Sequence, residues 1–135
     1  MVNSHIRDGA SLTKFIYWIK NQVQNKTITE LDAIKYLDNL RRGNKHFFSL
    51  SFPTIAGTGA NGAIVHYRAN KSTNKKINKS DLLLVDSGAQ YFDGTTDVTR
   101  TISFNKPRKD QIEMYTRVLK GCLLYTSPSP RDATL

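Results

Sequence analysis

Three aspartates, Asp86, Asp93 and Asp97, fall within the run VDSGAQYFDGTTDVTRT. Asp86 closes the apolar run LLLVD, where a carboxylate is costly unless a cation or hydrogen-bond donors compensate it. Asp97 opens the alternating segment DVTRTISF. Two carboxylates on neighbouring antiparallel strands can converge on a hard divalent cation, which takes oxygen ligands. A two-residue turn at Asp93-Gly94 would set Asp97 opposite Gln90 rather than Asp86, so convergence requires a bend near Ser87-Gly88 or a wider loop. Spacing alone leaves a second reading open, in which these are turn and strand-end aspartates making local hydrogen bonds. Asp93, followed by glycine, reads as a turn residue.

The segment Gly57-Thr58-Gly59-Ala60-Asn61-Gly62 has the GxGxxG pattern of dinucleotide sites. That mechanism needs a helix immediately after the loop, to hold a pyrophosphate at its N-terminus. Here AIVHY follows and reads as a strand, so the glycines are expected to let the backbone turn tightly or pass close to a site. His66 lies inside AIVHY, where a lone histidine is most simply a packed or surface residue. His5 and His46 carry no spacing signal. Neither a Ser/His/Asp nor a Cys/His constellation is present, and Cys122 has no basic neighbour in sequence.

The chain has 135 residues, 39% of them hydrophobic, and a net charge of +9. That hydrophobic content excludes a disordered chain, and no apolar run approaches the roughly 18 residues of a membrane span. Four lysines, Lys71, Lys75, Lys76 and Lys79, fall in KSTNKKINK without interleaved aromatics, so this stretch reads as a solvated loop rather than a nucleic-acid surface. One cysteine makes no internal disulfide, and MVNSHIRDG lacks an apolar signal core, so the expected compartment is the cytoplasm.

Helices must position these candidates. Leu12, Phe15, Ile16, Ile19 and Val23 give a helical stripe from Asp8 to about Asn25. A second helix begins near a Thr29-x-x-Asp32 capping box, carries Leu31, Ile34, Leu37 and Leu40, and ends in Arg41, Arg42 and Gly43. HFFSLSF, AIVHY, LLLVD and DVTRTISF then read as strands, and Pro107 opens a third helix with Ile112, Tyr115, Val118 and Leu119 on one side. Strands clustered after helices indicate an α+β fold with an antiparallel sheet.

Three segments, SHIRDGASL, LSFPTIAGTGANGAIVHYRA and LLLVDSGAQYFDGTTDVTRTI, closely resemble the Xaa-Pro aminopeptidases (aminopeptidase P) of the pita-bread metallopeptidases. The resemblance implies the pita-bread (creatinase/aminopeptidase-like) fold, with helices packed outside a curved antiparallel sheet. Residues 1–121 would form the first part of the catalytic domain. By that resemblance Asp86 is a ligand of one metal and Asp97 bridges two divalent ions, typically Mn2+. His66 corresponds to a histidine that contacts the peptide near the scissile bond, and Asp93 matches no ligand position. The implied reaction removes the N-terminal residue from peptides with proline second, through a water bridged by two metals. The expected partners are such peptides, with no nucleic acid and no membrane, and homo-oligomerisation of the intact protein is a further family expectation.

The family completes its site with one histidine and two glutamates from later in the domain, beyond this chain, and Glu30 and Glu113 are in the wrong places to substitute. The fragment is accordingly expected to be inactive alone. Residues 122–135, CLLYTSPSPRDATL, resemble the translation of a sequencing adapter and are expected to be a non-native tail. Two alternatives are a prolidase, which shares the fold and metals, and a non-catalytic pita-bread module that binds peptides or histones. Retention of Asp86 and Asp97 argues against the module.

Overall fold

The structure is a computed structural model that describes residues 1–126. It divides into two units, residues 1–105 and the residues from 106 onward, and each is taken by itself. The first unit holds two helices, α1 (Val2–Asn25) and α2 (Glu30–Arg42), followed by six strands: β1 (Phe47–Leu50), β2 (Ile55–Thr58), β3 (Leu82–Ser87), β4 (Ala89–Tyr91), β5 (Gly94–Thr95) and β6 (Val98–Ser103). This is the α+β arrangement that the order of patterns predicts.

Helix α1 starts at Val2 rather than Asp8. Its buried face continues through Ser4, Asp8 and Ser11, polar residues that apolar periodicity does not register. The expected capping box of α2 is present: the Thr29 amide donates to Asp32 Oδ2 at 3.0 Å, and the Asp32 amide donates to Thr29 Oγ1 at 3.3 Å. The buried face of α2 is Glu30, Ala33, Leu37 and Arg41, turned from the expected stripe, of which only Leu37 is fully buried while Leu31, Ile34 and Leu40 are half-buried, because charged residues satisfied by distant partners take the inner positions.

Arg41 is therefore not a solvated cation of the last helical turn. Its side chain is 0% exposed, and its Nε and Nη2 donate to Asp8 Oδ1 and Oδ2 at 2.8 and 3.0 Å. Tyr91 Oη donates to Asp8 Oδ1 at 2.7 Å, so one carboxylate ties α1 to α2 and β4. Burial pushes the Asp8 carboxyl up, but the hydrogen bonds from Arg41 and Tyr91 and the Arg41 charge outweigh it and hold Asp8 below its ordinary value of 3.8. Burial and the Asp8 contact push the Tyr91 phenol up to about 12.

A carboxyl with a lowered folded-state pKa stabilises fully above its unfolded value, and that contribution disappears as pH falls through the folded value. Removing one partner of a buried pair leaves an uncompensated charge, so Arg41→Ala in the full-length protein is expected to cost about 3–5 kcal/mol in denaturant unfolding. Asp8→Asn should flatten the acid limb of stability below about pH 4. An unchanged acid limb in that variant would count against the role of Asp8.

The strands form two three-stranded antiparallel sheets, ordered β2-β3-β6 and β1-β4-β5. Along β3, Leu83, Val85 and Ser87 are buried and alternate with half-buried Leu82, Leu84 and Asp86. The near-continuous apolar run LLLV thus buries one face completely, the face that meets the helices. There Leu83, Val85, Ala56 and Ile102 pack with Leu12, Phe15, Ile19, Ala33 and Leu37. The lysines of KSTNKKINK are exposed, as a solvated loop requires. Ile77 in the same stretch is 3% exposed, however, and its amide donates to Ile28 O, so the loop is pinned to the core.

In the second unit, α3 (Lys109–Thr126) carries the expected Ile112, Tyr115, Val118 and Leu119. Its start is capped by Gln111 Oε1, which accepts from the Arg108 amide at 2.9 Å. Of the expected tail, Cys122–Thr126 continue this helix, and residues 127–135 lie outside the described residues.

Candidate functional site

Strand register determines which aspartates meet. Asp86 on β3 lies opposite Thr99 on β6 and opposite Ile55 on β2. In the hairpin beyond, Tyr91 pairs with Gly94 and Gln90 with Thr95, so the turn residues are Phe92 and Asp93, one position earlier than Asp93-Gly94. The Thr96 amide donates to Ala89 O at 2.8 Å and continues the same register, which sets Asp97 opposite Gly88. Asp97 thus precedes Thr99 by two residues and shares a face with Asp86, at the diagonal position that in antiparallel sheets lies about 7–8 Å away.

The bend foreseen at Ser87-Gly88 is also present. The chain leaves the β2-β3-β6 sheet at Gly88 and enters the β1-β4-β5 sheet. Asp93 remains a turn residue, ion-paired with Arg7, and that hydrogen bond holds its carboxyl below the ordinary value.

The expected AIVHY strand does not form. Residues Gly59–Ala63 make a short 3-10 segment, and Tyr67 N donates to Ile64 O in the turn that follows. A strand, β2, precedes the glycine loop, yet no α-helix follows it, so the dinucleotide mechanism stays excluded. His66 adopts φ 54°, a left-handed conformation that a residue with a Cβ enters only when its surroundings demand it. The demand comes from Tyr67, which is 5% exposed with its hydroxyl in a buried polar cluster, while Ile64 and Val65 remain exposed.

His66, Asp86 and Asp97 line one cleft of about 270 Å³ with Phe52, Pro53, Ile55 and Arg68. A second cleft of about 310 Å³, walled by Ile64, Val65 and Leu84, shares Ile55, His66 and Asp86 with the first. The three candidates therefore stand together, with apolar surface on either side. Thr99 Oγ1 donates to Asp86 Oδ1 at 2.9 Å and orients that carboxylate. Among the described residues neither Asp86 nor Asp97 has an ion-pair partner. Two carboxylates open to one cleft suit a hard divalent cation in donor type. They fall short in number, because among the described residues no group of three or more His, Cys, Asp or Glu is placed to hold a metal ion.

Sequence reasoning missed Glu30, Asn61 and Tyr67. Glu30 is fully buried, and its carboxylate receives the Thr58 amide at 2.8 Å, Asn61 Nδ2 at 3.0 Å and Tyr67 Oη at 2.7 Å. The available signal was spacing: Glu30 shares the three- and four-residue rhythm of Ala33 and Leu37, which places it on the buried stripe. Arg68 was also unremarked, and it contributes the cleft's cation.

Residues 1–126 match the sequence profile of metallopeptidase family M24. The chain is 46% identical over 127 residues to the Xaa-Pro aminopeptidase ApepP of Drosophila melanogaster, covering 93% of this chain and 21% of that protein. The crystal structure of X-prolyl aminopeptidase from Caenorhabditis elegans, described as a cytosolic enzyme with a di-nuclear active site, superposes with a TM-score of 0.83 at 41% identity. That match covers 88% of this chain and 20% of that one. Escherichia coli aminopeptidase P gives a TM-score of 0.71 at 25% identity, over 95% of this chain and 27% of that one. The chain thus spans about a fifth of the length of the curated relatives it matches. With a family profile matched along nearly all its length and a fold shared with solved aminopeptidases, the chain belongs to metallopeptidase family M24 and has the α+β pita-bread fold.

Proposed function

We propose that the full-length protein is a metal-dependent Xaa-Pro aminopeptidase of the cytoplasm, acting on peptides with proline second. The observation that carries this reading is the shared face of Asp86 and Asp97 in the cleft that also holds His66. Asp86 and Asp97 would hold two divalent ions, Mn2+ by family expectation, together with ligands from beyond this chain. Divalent ions so held supply Lewis acidity, lowering the pKa of water toward neutrality and polarising a carbonyl.

The chain's own residues do the rest. Thr99 keeps Asp86 turned toward the cleft through its 2.9 Å hydrogen bond. Phe52, Pro53 and Ile55 offer an apolar wall against which an apolar ring can exclude water. The exposed His66 ring would donate an N–H to the oxygen on which negative charge develops as the tertiary amide is attacked. Identity of 46% and 41% to the Drosophila and Caenorhabditis Xaa-Pro aminopeptidases, against 25% to Escherichia coli aminopeptidase P and 26% to a solved prolidase, supports an aminopeptidase like the two animal enzymes.

The full-length protein is expected to release the first residue of an Xaa-Pro peptide, to lose that activity on chelation and to regain it with Mn2+. Turnover that persists after metal removal would refute the assignment. For the chain alone we expect no turnover and weak Mn2+ binding, since two carboxylates leave most coordination positions to water. Calorimetry that finds submicromolar affinity would contradict this. Residues 122–135 are proposed as a non-native tail, which continuity of their codons with flanking genomic sequence would disprove.

A further inference from the structure

We infer that Glu30 is a positioning residue for His66, an assignment that rests on the proposed role of His66 at the substrate. Both ends of the segment that carries His66 close on this one carboxylate. At the leading end Glu30 Oε1 accepts from the Thr58 amide at 2.8 Å and from Asn61 Nδ2 at 3.0 Å. At the trailing end Glu30 Oε2 accepts from Tyr67 Oη at 2.7 Å, one residue beyond His66, and from the Lys75 amide at 3.2 Å. Asn61 Nδ2 reaches Oε2 as well, at 3.1 Å, so the two oxygens are cross-linked by a side chain of the same segment.

The donors around Glu30 are neutral, and among the described residues no cation forms an ion pair with it. Its charge is balanced by these hydrogen bonds and by its place in the first turn of α2, where the helix dipole favours an anion. Tyr67 is drawn inward by this cluster, and Thr73 O and Oγ1 lie within 3.1 and 3.2 Å of its hydroxyl. With Tyr67 held inside and Ile64 O accepting from its amide, the chain turns through the left-handed conformation that leaves the His66 ring in the cleft. Glu30 is remote from the reacting atoms and would act only through the segment it clamps.

A glutamine at this position keeps the volume and presents an amide to donors that need an acceptor. In the full-length protein, Glu30→Gln is expected to lower kcat/KM for an Xaa-Pro peptide by about 10- to 100-fold with unchanged metal content. In a His66→Ala background the same change should cost less than about 3-fold, because the residue it positions is already gone. Equal losses in both backgrounds, or no loss in either, would overturn the assignment.

Tyr67→Phe, which removes the hydroxyl that donates to Glu30 and accepts from Asn61 Nδ2 but leaves the carboxylate in place, provides the milder variant should Glu30→Gln fold poorly. It is expected to give a smaller loss with the same dependence on His66. The His66 Cε1–H resonance of the full-length protein supplies a readout separate from activity. It should shift in both variants, and an unshifted line in a folded variant would contradict the proposal. If the unsubstituted protein cleaved no Xaa-Pro peptide, the functional reading would fail, and this resonance would still decide whether Glu30 positions His66.

Discussion

Asp97→Ala in the full-length protein is expected to reduce Xaa-Pro cleavage at least about 1,000-fold and to lower the bound divalent metal. The size follows from the proposed role of Asp97 as one of the two carboxylates that this chain would offer to the ions. It also follows from what surrounds Asp97, because among the described residues no group of three or more His, Cys, Asp or Glu is placed to hold a metal ion without it. Asp93→Ala is the matched control. It removes a carboxylate from the same hairpin, but one that sits in the turn and pairs with Arg7, so activity and metal content should stay at their original values. Elemental analysis alongside steady-state kinetics reads both variants. A fully active, metal-replete Asp97→Ala enzyme would remove Asp97 from the ligand set.

Gly88→Ala should be the most damaging small substitution in the hairpin. A methyl group on Gly88 would stand 1.9 Å from Thr96 O and 2.5 Å from Ser51 Oγ. Neither neighbour is free to retreat. The Thr96 amide and hydroxyl are bonded to Ala89, and Ser51 Oγ donates to Thr96 O at 2.9 Å. Relief requires the two strands to part at the point where Asp97 opposes Gly88, so stability and site are lost together. We expect a destabilisation of about 3 kcal/mol or more, with activity falling well beyond what that alone explains. Thermal unfolding and peptide cleavage test it, and an unperturbed melting temperature would show that the bend tolerates a Cβ.

Helix α1 was legible because apolar residues recur along its buried face with the helical period. Leu12, Phe15, Ile19 and Val23 lie on the buried face of α1, as their spacing requires. The capping box at Thr29 was legible because it is a local hydrogen-bond exchange between residues three apart. Arg41 and Glu30 were not legible as buried. A charged side chain enters a core only when partners distant in sequence satisfy it, and here those are Asp8 in one case and Thr58, Asn61 and Tyr67 in the other. AIVHY failed as a strand for a related reason: its β-branched residues favour extension, but the anchoring of Tyr67 on Glu30 outweighs local preference.

The turn shows how small a sequence ambiguity can be and how much it moves. Asp93-Gly94 is a strong hairpin signal, yet Gly94 serves a different need: a Cβ there would lie 2.4 Å from Ser4 Oγ on α1. Shifting the turn by one residue moves every cross-strand pair by two, from Asp97 opposite Gln90 to Asp97 opposite Gly88. Residue types and chain order by themselves determined the fold class and the buried face of α1, and they singled out two aspartates of a type suited to a hard cation. Only the tertiary structure decided that Asp86 and Asp97 share a face, that His66 leaves the sheet to join them, and that Glu30 clamps the segment which carries it. The reason is that local preference acts over a few residues, whereas register and the satisfaction of buried charge are settled by groups far apart in the chain.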